Sequence, residues 1–463
     1  MLPHALGELL PTVDLFARAG GGGSSSGGGG GDGFIIVVGY LPMHALGAGL
    51  RRINKKYPAF TVALCILCIV MALAYGAAWI VFLGGFFGGL TAIAALIGAL
   101  AGLFGWFGKL RQSKQAEASL ATAAQQDPAW NEERLLVMAS STFLRYQADW
   151  STQNIESMKT YMTPSYHQHA SLLVVALGQL HRINKIENPI INELMVVDLA
   201  DSPGVGADRV TIGITARSND RLIDSRTEEV LYEDNGNFTE FWKFCRTGDG
   251  WLLNGIQQAT AAEWLHNEPL EQFAQRNGMY FSLDMGRLLV PKRGVIFDKA
   301  SLKTADVNNH VIGLYAQQYL VQLYTYTNQP VPNTDATIYL VAQMMVPKEY
   351  GQIVVRQKTG NWLTRTIGFN TFGSRGLQKI SMEWGDFNRK YDVYASSAEG
   401  ATSFELLHPA FMEQLERVPF EVNIEVVDNV VYFYAKEQSK FVPNSYYEDL
   451  LKIVHEAYRQ MRL

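Results

Sequence analysis

The chain is 463 residues long, carries a formal net charge of −5 and contains three cysteines. That length leaves room for two or three domains, each with its own core. The negative balance argues against a nucleic-acid partner, which would call for a basic face. Three cysteines exclude a disulfide framework.

Residues 1–33 end in an almost pure Gly/Ser tract, which is expected to behave as a flexible coil because it has no apolar surface to bury. Residues 34–50 are apolar and form a candidate first transmembrane helix, with Pro42 and His44 inside it. From Phe60 through Gly108 there is no Asp, Glu, Lys, Arg or His. A bilayer core needs about 20 apolar residues per spanning helix. Residues 60–108 therefore predict a transmembrane helical hairpin turning near Gly84–Gly89. Arg51, Arg52, Lys55 and Lys56 precede the run, and Lys109, Arg111 and Lys114 follow it. Such flanks stay cytoplasmic and suit anionic headgroups. The expected location is the cell inner or plasma membrane, multi-pass, with the polar remainder in the cytoplasm. Gly84 and Gly88, Gly85 and Gly89, and Gly98 and Gly102 each lie four apart. That spacing lets helices approach closely, so a homo-oligomer is a further expectation.

Residues 109–126 are polar and read as a linker or stalk. From Asp127 the pattern becomes globular. Leu135, Met138, Ala139, Phe143, Tyr146 and Trp150 recur at helical spacing, and Ile155, Met158 and Met162 continue on a second short helix. Thr163-Pro164 supplies an N-cap and a first-turn proline for a third helix, running to about Arg182. Strand-like segments follow at 190–200, 208–218, 226–233, 238–246 and 251–258. Helices followed by antiparallel strands make an α+β pattern. Residues 269–463 predict a second α+β domain. It opens with a Tyr-rich helix from about Val311 to Tyr326, followed by strands at 336–346, 351–358 and 362–370. Shorter strands lie around Lys379–Glu383 and Lys390–Tyr394, and a helix around Ser403–Arg417. A hairpin joins Glu421–Val427 to Val430–Lys436 through Asp428-Asn429. A terminal amphipathic helix places Tyr447, Leu451, Val454 and Tyr458 on one stripe.

Two blocks carry a family resemblance. One is Phe143-Leu-Arg-Tyr-Gln-Ala-Asp-Trp150, leading into Tyr161-Met-Thr-Pro-Ser-Tyr166. The other is Thr239-Glu-Phe-Trp-Lys-Phe-Cys-Arg246, followed by Gly250-Trp-Leu-Leu-Asn-Gly-Ile-Gln-Gln258. Over residues 127–268 the chain resembles the Tim-44-like family, the C-terminal domain of mitochondrial inner-membrane translocase subunit 44 and its bacterial relatives. The resemblance implies a cone-shaped, nuclear-transport-factor-2-like fold, three helices packed into a curved antiparallel sheet around an apolar pocket. It also implies contact with a membrane face and anionic lipid. The mitochondrial protein has no spanning helices and carries a motor-binding N-terminal region not recognised here, so an import-motor role is not implied. Phe387-Asn-Arg-Lys-Tyr-Asp-Val-Tyr394 and Phe404-Glu-Leu-Leu-His-Pro-Ala-Phe-Met412 are similar to a bacterial domain family of unknown function.

Little in the chain points to catalysis. The nine histidines are scattered, and no H-E-x-x-H, G-x-S-x-G or Walker motif occurs. No cofactor, no metal and no enzymatic activity are expected. Glu240 and Arg246 share a predicted strand, with Arg217 or Arg226 as cross-strand partners. Under the resemblance, Trp150, Tyr166, Trp242, Phe244 and Trp251 form a candidate pocket, read either as plain core or as a site for a lipid tail or an apolar peptide side chain. The leading expectation is a membrane-anchored, non-enzymatic binding or tethering protein. Its expected partners are the lipid bilayer, anionic lipid or a membrane protein complex. Two other readings stay open: a small-molecule or hydrolytic pocket, and a structural membrane assembly protein.

Overall fold

The computed structural model describes residues 61–83, 91–93, 95, 116, 118–202, 205–248, 250–259, 267–295, 297, 305–315, 317–328, 337–346, 348–358, 376–396, 407–418, 420–437 and 444–460. The chain is mixed α+β with two antiparallel sheets.

Helix α1, Thr61–Leu83, comes first. Its small residues Cys68 and Ala72 are buried, as are Thr91 and Ala95. A Cβ at Gly76 would come within 2.9 Å of Ala92 Cβ, so the close approach there requires glycine. Ile66, Leu67, Val70 and Val81 are exposed. The expectation of N-terminal transmembrane helices, and of a multi-pass inner- or plasma-membrane protein, is corrected here. Among the described residues no helix is long and apolar enough to cross a membrane. The candidate helix 34–50, the turn at 84–89 and all seven flanking cations, Arg51, Arg52, Lys55, Lys56, Lys109, Arg111 and Lys114, lie outside the described residues.

Residues 118–126, inside the expected linker, are helical. Ala116, Leu120 and Ala123 are buried in the first core. Helices α2 (Glu132–Ser151), α3 (Ile155–Met158) and α4 (Pro164–Gln179) follow. Each starts at a side-chain cap: Asn131, Asn154 and Thr163 accept from the backbone N–H of Arg134, Ser157 and Tyr166. They pack on a sheet of β1 (Arg182–Ala200), β2 (Arg209–Asp224), β3 (Val230–Asp234), β4 (Asn237–Thr247) and β5 (Gly250–Gln258), ordered β1-β2-β4-β5 with β3 also on β2. Three register shifts interrupt the β1–β2 ladder. Such bulges bend a strand, and here they accompany the packing of β1 against α2.

A polar network sits at the centre of this core. Glu240 is fully buried; it accepts from Trp242 Nε1 at 2.9 Å and from Gln258 Nε2 at 2.7 Å. Arg246, on the same strand as Glu240, pairs with carboxylates outside that strand. It bridges Asp127 at 2.5 Å and Asp208 at 3.1 Å, fastening the start of the helical layer to the end of β4.

The second sheet has nine strands, in the order β11-β12-β10-β13-β14-β9-β8-β7-β6. They are β6 (Tyr280–Gly286), β7 (Ala305–Tyr315), β8 (Tyr319–Asn328), β9 (Thr337–Met345), β10 (Gln352–Gln357), β11 (Gln378–Ile380), β12 (Tyr391–Ala395), β13 (Asn423–Val427) and β14 (Val430–Glu437). One face is covered by α5 (Glu268–Arg276), α6 (Gly385–Lys390), α7 (Pro409–Arg417) and α8 (Asn444–Gln460). Tyr447, Leu451, Val454 and Tyr458 of α8 are buried as one stripe. The expected helix over Val311–Tyr326 is instead the β7–β8 hairpin, turning through Gln317 at φ +59°. Val321 and Leu323 enter the helix-side core, while Tyr324 and Tyr326 enter the other. With both faces buried, the strand shows no apolar–polar alternation.

The other face of the nine-stranded sheet shares a core with the first sheet. Between them runs a strap, residues 287–295 with Phe297. Arg182 at the start of β1 is buried, and its Nη1 donates to the Leu288 and Val290 carbonyls at 3.0 and 2.5 Å. The Val295 N–H donates to Glu425, and a Cβ on Gly294 would collide with Glu425 and Val427. Phe297 lies edge-on to Tyr326, Tyr339, Tyr432 and Tyr434 at 5.1–6.1 Å.

Two buried histidines line the same junction. The His169 ring on α4 stacks on Tyr280 of β6, 5.2 Å between centroids and 7° from parallel, and lies 3.3 Å from Ser282 Oγ. His310 on β7 is 3.0 Å from Gln322 Oε1. Burial, and then the other imidazole, pushes His169 down to about 3; burial pushes His310 down to about 4, Gln322 opposing it. Both are depressed on folding from 6.5. Between those values the unfolded chain binds more protons, so stability is lost as pH falls below about 6.5. Calorimetry should show the melting temperature falling from pH 6.5 toward 4.5, each histidine contributing at most about 1.4 kcal/mol per pH unit. His169→Gln should flatten that slope. A second expected outcome concerns Glu240→Ala, which strands the Trp242 and Gln258 donors and should cost about 2–4 kcal/mol in denaturant unfolding.

Candidate functional site

Three of the candidate pocket residues, Trp150, Trp242 and Phe244, sit in the first core as packing, with Tyr166 and Trp251 against its edge. Trp150, Trp242 and Phe244 are fully buried, and Tyr166 and Trp251 are half-buried. Trp242 meets Phe143 at 5.4 Å and Tyr146 edge-on at 5.4 Å; Tyr146 stacks on Trp150 at 5.8 Å. Trp150 Nε1 donates to Asn184 Oδ1 at 2.9 Å. Trp251 packs against Trp130 at 5.0 Å. Burial, then Tyr166 and Glu240, holds the Tyr146 phenol far above its ordinary range, so it stays neutral. The interior is a filled aromatic core around a buried carboxylate.

An open site lies on the outside of the same helix. Glu132, Glu133, Leu136, Val137, Ser140, Ser141 and Leu144 of α2, with Leu194 of β1, line a groove of about 680 Å³. Its geometry follows from local sequence. Leu135, Ala139, Phe143, Tyr146 and Trp150 turn inward on α2. Val137 and Leu144, seven apart, therefore stand outward, 64% and 44% exposed. Two serines lie between them and leave the space low, and Ser141 Oγ is satisfied on the Met138 carbonyl. β1 forms the far wall as an edge strand, with β2 as its one strand neighbour among the described residues.

One end of the groove is acidic. Glu132 and Glu133 occupy the first helical turn after the Asn131 cap. Carboxylates there suit the positive end of the helix dipole, so they help the helix as well as the site. The arrangement can bind but carries no nucleophile–base pair among the described residues. Groups of three or more His, Cys, Asp or Glu able to hold a metal are likewise absent among the described residues. Sequence reasoning found the inward stripe and passed over the outward one, whose signal was the heptad pair Val137 and Leu144 around two serines.

Comparisons with known proteins add three findings. Residues 340–461, from β9 through α8, match a family described as "protein of unknown function (DUF3137)". No curated protein matches. A solved structure, the mycobacterial trehalose monomycolate transport factor A, TtfA, is similar at 12% identity, covering 42% of this chain and 94% of that one, with a TM-score of 0.29. A score that low carries no argument about fold or ligand. The C-terminal likeness thus rests on a family of unknown function, and these matches do not show the Tim-44-like family.

Proposed function

We propose that the protein is a non-enzymatic binding protein whose first α+β unit captures an apolar polypeptide segment with a cationic end. The observation that supports this reading is the groove between α2 and β1, apolar along its length and acidic at one end. Glu132 to Leu144 covers about 18 Å of helix, room for roughly three turns of a partner helix. Val137 and Leu144 offer side chains to bury, and a cation at the partner's end meets Glu132 and Glu133. An acyl chain could lie in the same groove, but the two carboxylates repel an anionic headgroup, which favours the peptide.

A fluorescently labelled Leu-rich helical peptide ending in three lysines tests this against the full chain by anisotropy. Val137→Glu with Leu144→Glu should weaken binding at least about tenfold, since each removes a well-buried contact of about 1–2 kcal/mol. Glu132→Lys should weaken it a few-fold and reduce its salt dependence. Both residues lie outside the core, so melting temperatures should hold. Unchanged affinity in the double variant would sink the proposal.

A further inference from the structure

A row of polar side chains crosses the core that the two sheets share. β8 fixes its direction. Val321 and Leu323 point to the helix-side core and Tyr324 to the shared one, so Gln322, two residues before Tyr324, also points to the shared side. Strand register extends the row. Gln322 stands opposite Gln343 on β9, and Gln343 stands opposite Tyr432 on β14. On the other flank Gln322 meets His310 of β7, which stands opposite Ser282 of β6. Five neighbouring strands thus each carry a polar group into a face that otherwise presents residues such as Val307, Ile312, Val341 and Val430.

At the middle of the row, donors outnumber acceptors. Gln322 and Gln343 are 1% and 0% exposed. Both amide oxygens are engaged: Gln322 Oε1 lies 3.0 Å from His310 Nε2, and Gln343 Oε1 accepts from the Tyr324 hydroxyl at 3.0 Å. Neither amide nitrogen has a partner among the described residues. An amide N–H buried without an acceptor is strongly destabilising, and each of these nitrogens carries two. Residues directly opposite on antiparallel strands have Cβ atoms about 5 Å apart, so both nitrogens can reach one oxygen. Water is the acceptor that fits. It needs room for a single atom, and the phenol oxygens of Tyr324 and Tyr432 on the same face can take its hydrogens. An anion would lose its hydration to reach so buried a position, a cost that amide dipoles offset only in part.

We infer that the paired amides of Gln322 and Gln343 bind an ordered water inside the shared core, which ties β8 and β9 together where the first sheet packs on them. The site also sets the tautomer of His310. Its Nε2 carries the proton that Gln322 Oε1 accepts, which turns the Gln322 nitrogen toward the water. A polar group satisfied at one place in an apolar face favours one seating of the two sheets, because any sliding would strand it. The site is separate from the α2–β1 groove and stands or falls independently of that reading.

The test uses the full chain. A high-resolution crystal structure should show one isolated oxygen about 3 Å from both amide nitrogens. In solution, with isotope-labelled glutamine, the side-chain N–H groups of Gln322 and Gln343 should show cross-relaxation with a long-lived water. Gln343→Met should abolish that signal at Gln322. The nitrogen shifts of the His310 ring, read on the unaltered chain, should report the Nε2–H tautomer. The inference is overturned if the crystal shows no density there, or density larger than one oxygen. It is equally overturned if the Gln322 water signal is absent or survives Gln343→Met, or if His310 carries its proton on Nδ1. The crystal and the ring shifts need no variant, so a misfolded Gln343→Met leaves the test intact.

Discussion

A guanidinium taken out of water has to find its acceptors where it is buried. The effective desolvation cost is several kcal/mol, so its hydrogen bonds determine what may lie beside it. Arg182 finds two of them in the strap, on the Leu288 and Val290 carbonyls. The strap in turn presses Gly294 onto Glu425 and sets Phe297 among four tyrosines of the second sheet. Through that one charge, the first strand of one sheet dictates how the other sheet is covered. The shared core of the two sheets closes around this placement.

The α2 groove and the sheet junction have opposite characters. The interior between the helices and the first sheet is closed, because Trp150, Trp242 and Phe244 fill it and Glu240 is satisfied inside it. Recognition is left to the outside. On the outer side of α2 the local chain supplies apolar side chains and first-turn carboxylates. At the sheet junction it supplies Arg182 from the start of β1, Arg226 from the β2–β3 turn, and Lys292 and Arg293 from the strap.

Much of the fold could be read from period and turn chemistry. The α2 stripe, the Thr163-Pro164 helix start, the strands β2, β4 and β5 and the Asp428-Asn429 hairpin all follow from local residues. Failures arose where local and tertiary information part. Val311–Tyr326 looked helical because β7 and β8 are buried on both faces, which erases alternation. β6 and the strap escaped notice because nothing local marks a segment that is covered only by distant chain. The apolar run after Phe60 suggested a membrane anchor from composition, yet among the described residues no helix is long and apolar enough to cross one. Trp150, Trp242 and Phe244 are buried in one core; composition alone does not tell a filled cavity from an empty one.

Strand order has a consequence for how the chain comes into being. All strands of the first sheet lie between Arg182 and Gln258, so that sheet can assemble from contiguous sequence. In the second, β13 and β14 occupy the middle, between β10 and β9, although they are last in the chain. Its centre cannot close until almost the whole polypeptide has been synthesised. Long-range pairing of this kind is slow and leaves apolar surface uncovered meanwhile. During that interval Arg182 and the first sheet's inner face wait for a strap that has nothing to lie on, and the nascent protein is at its most vulnerable to aggregation.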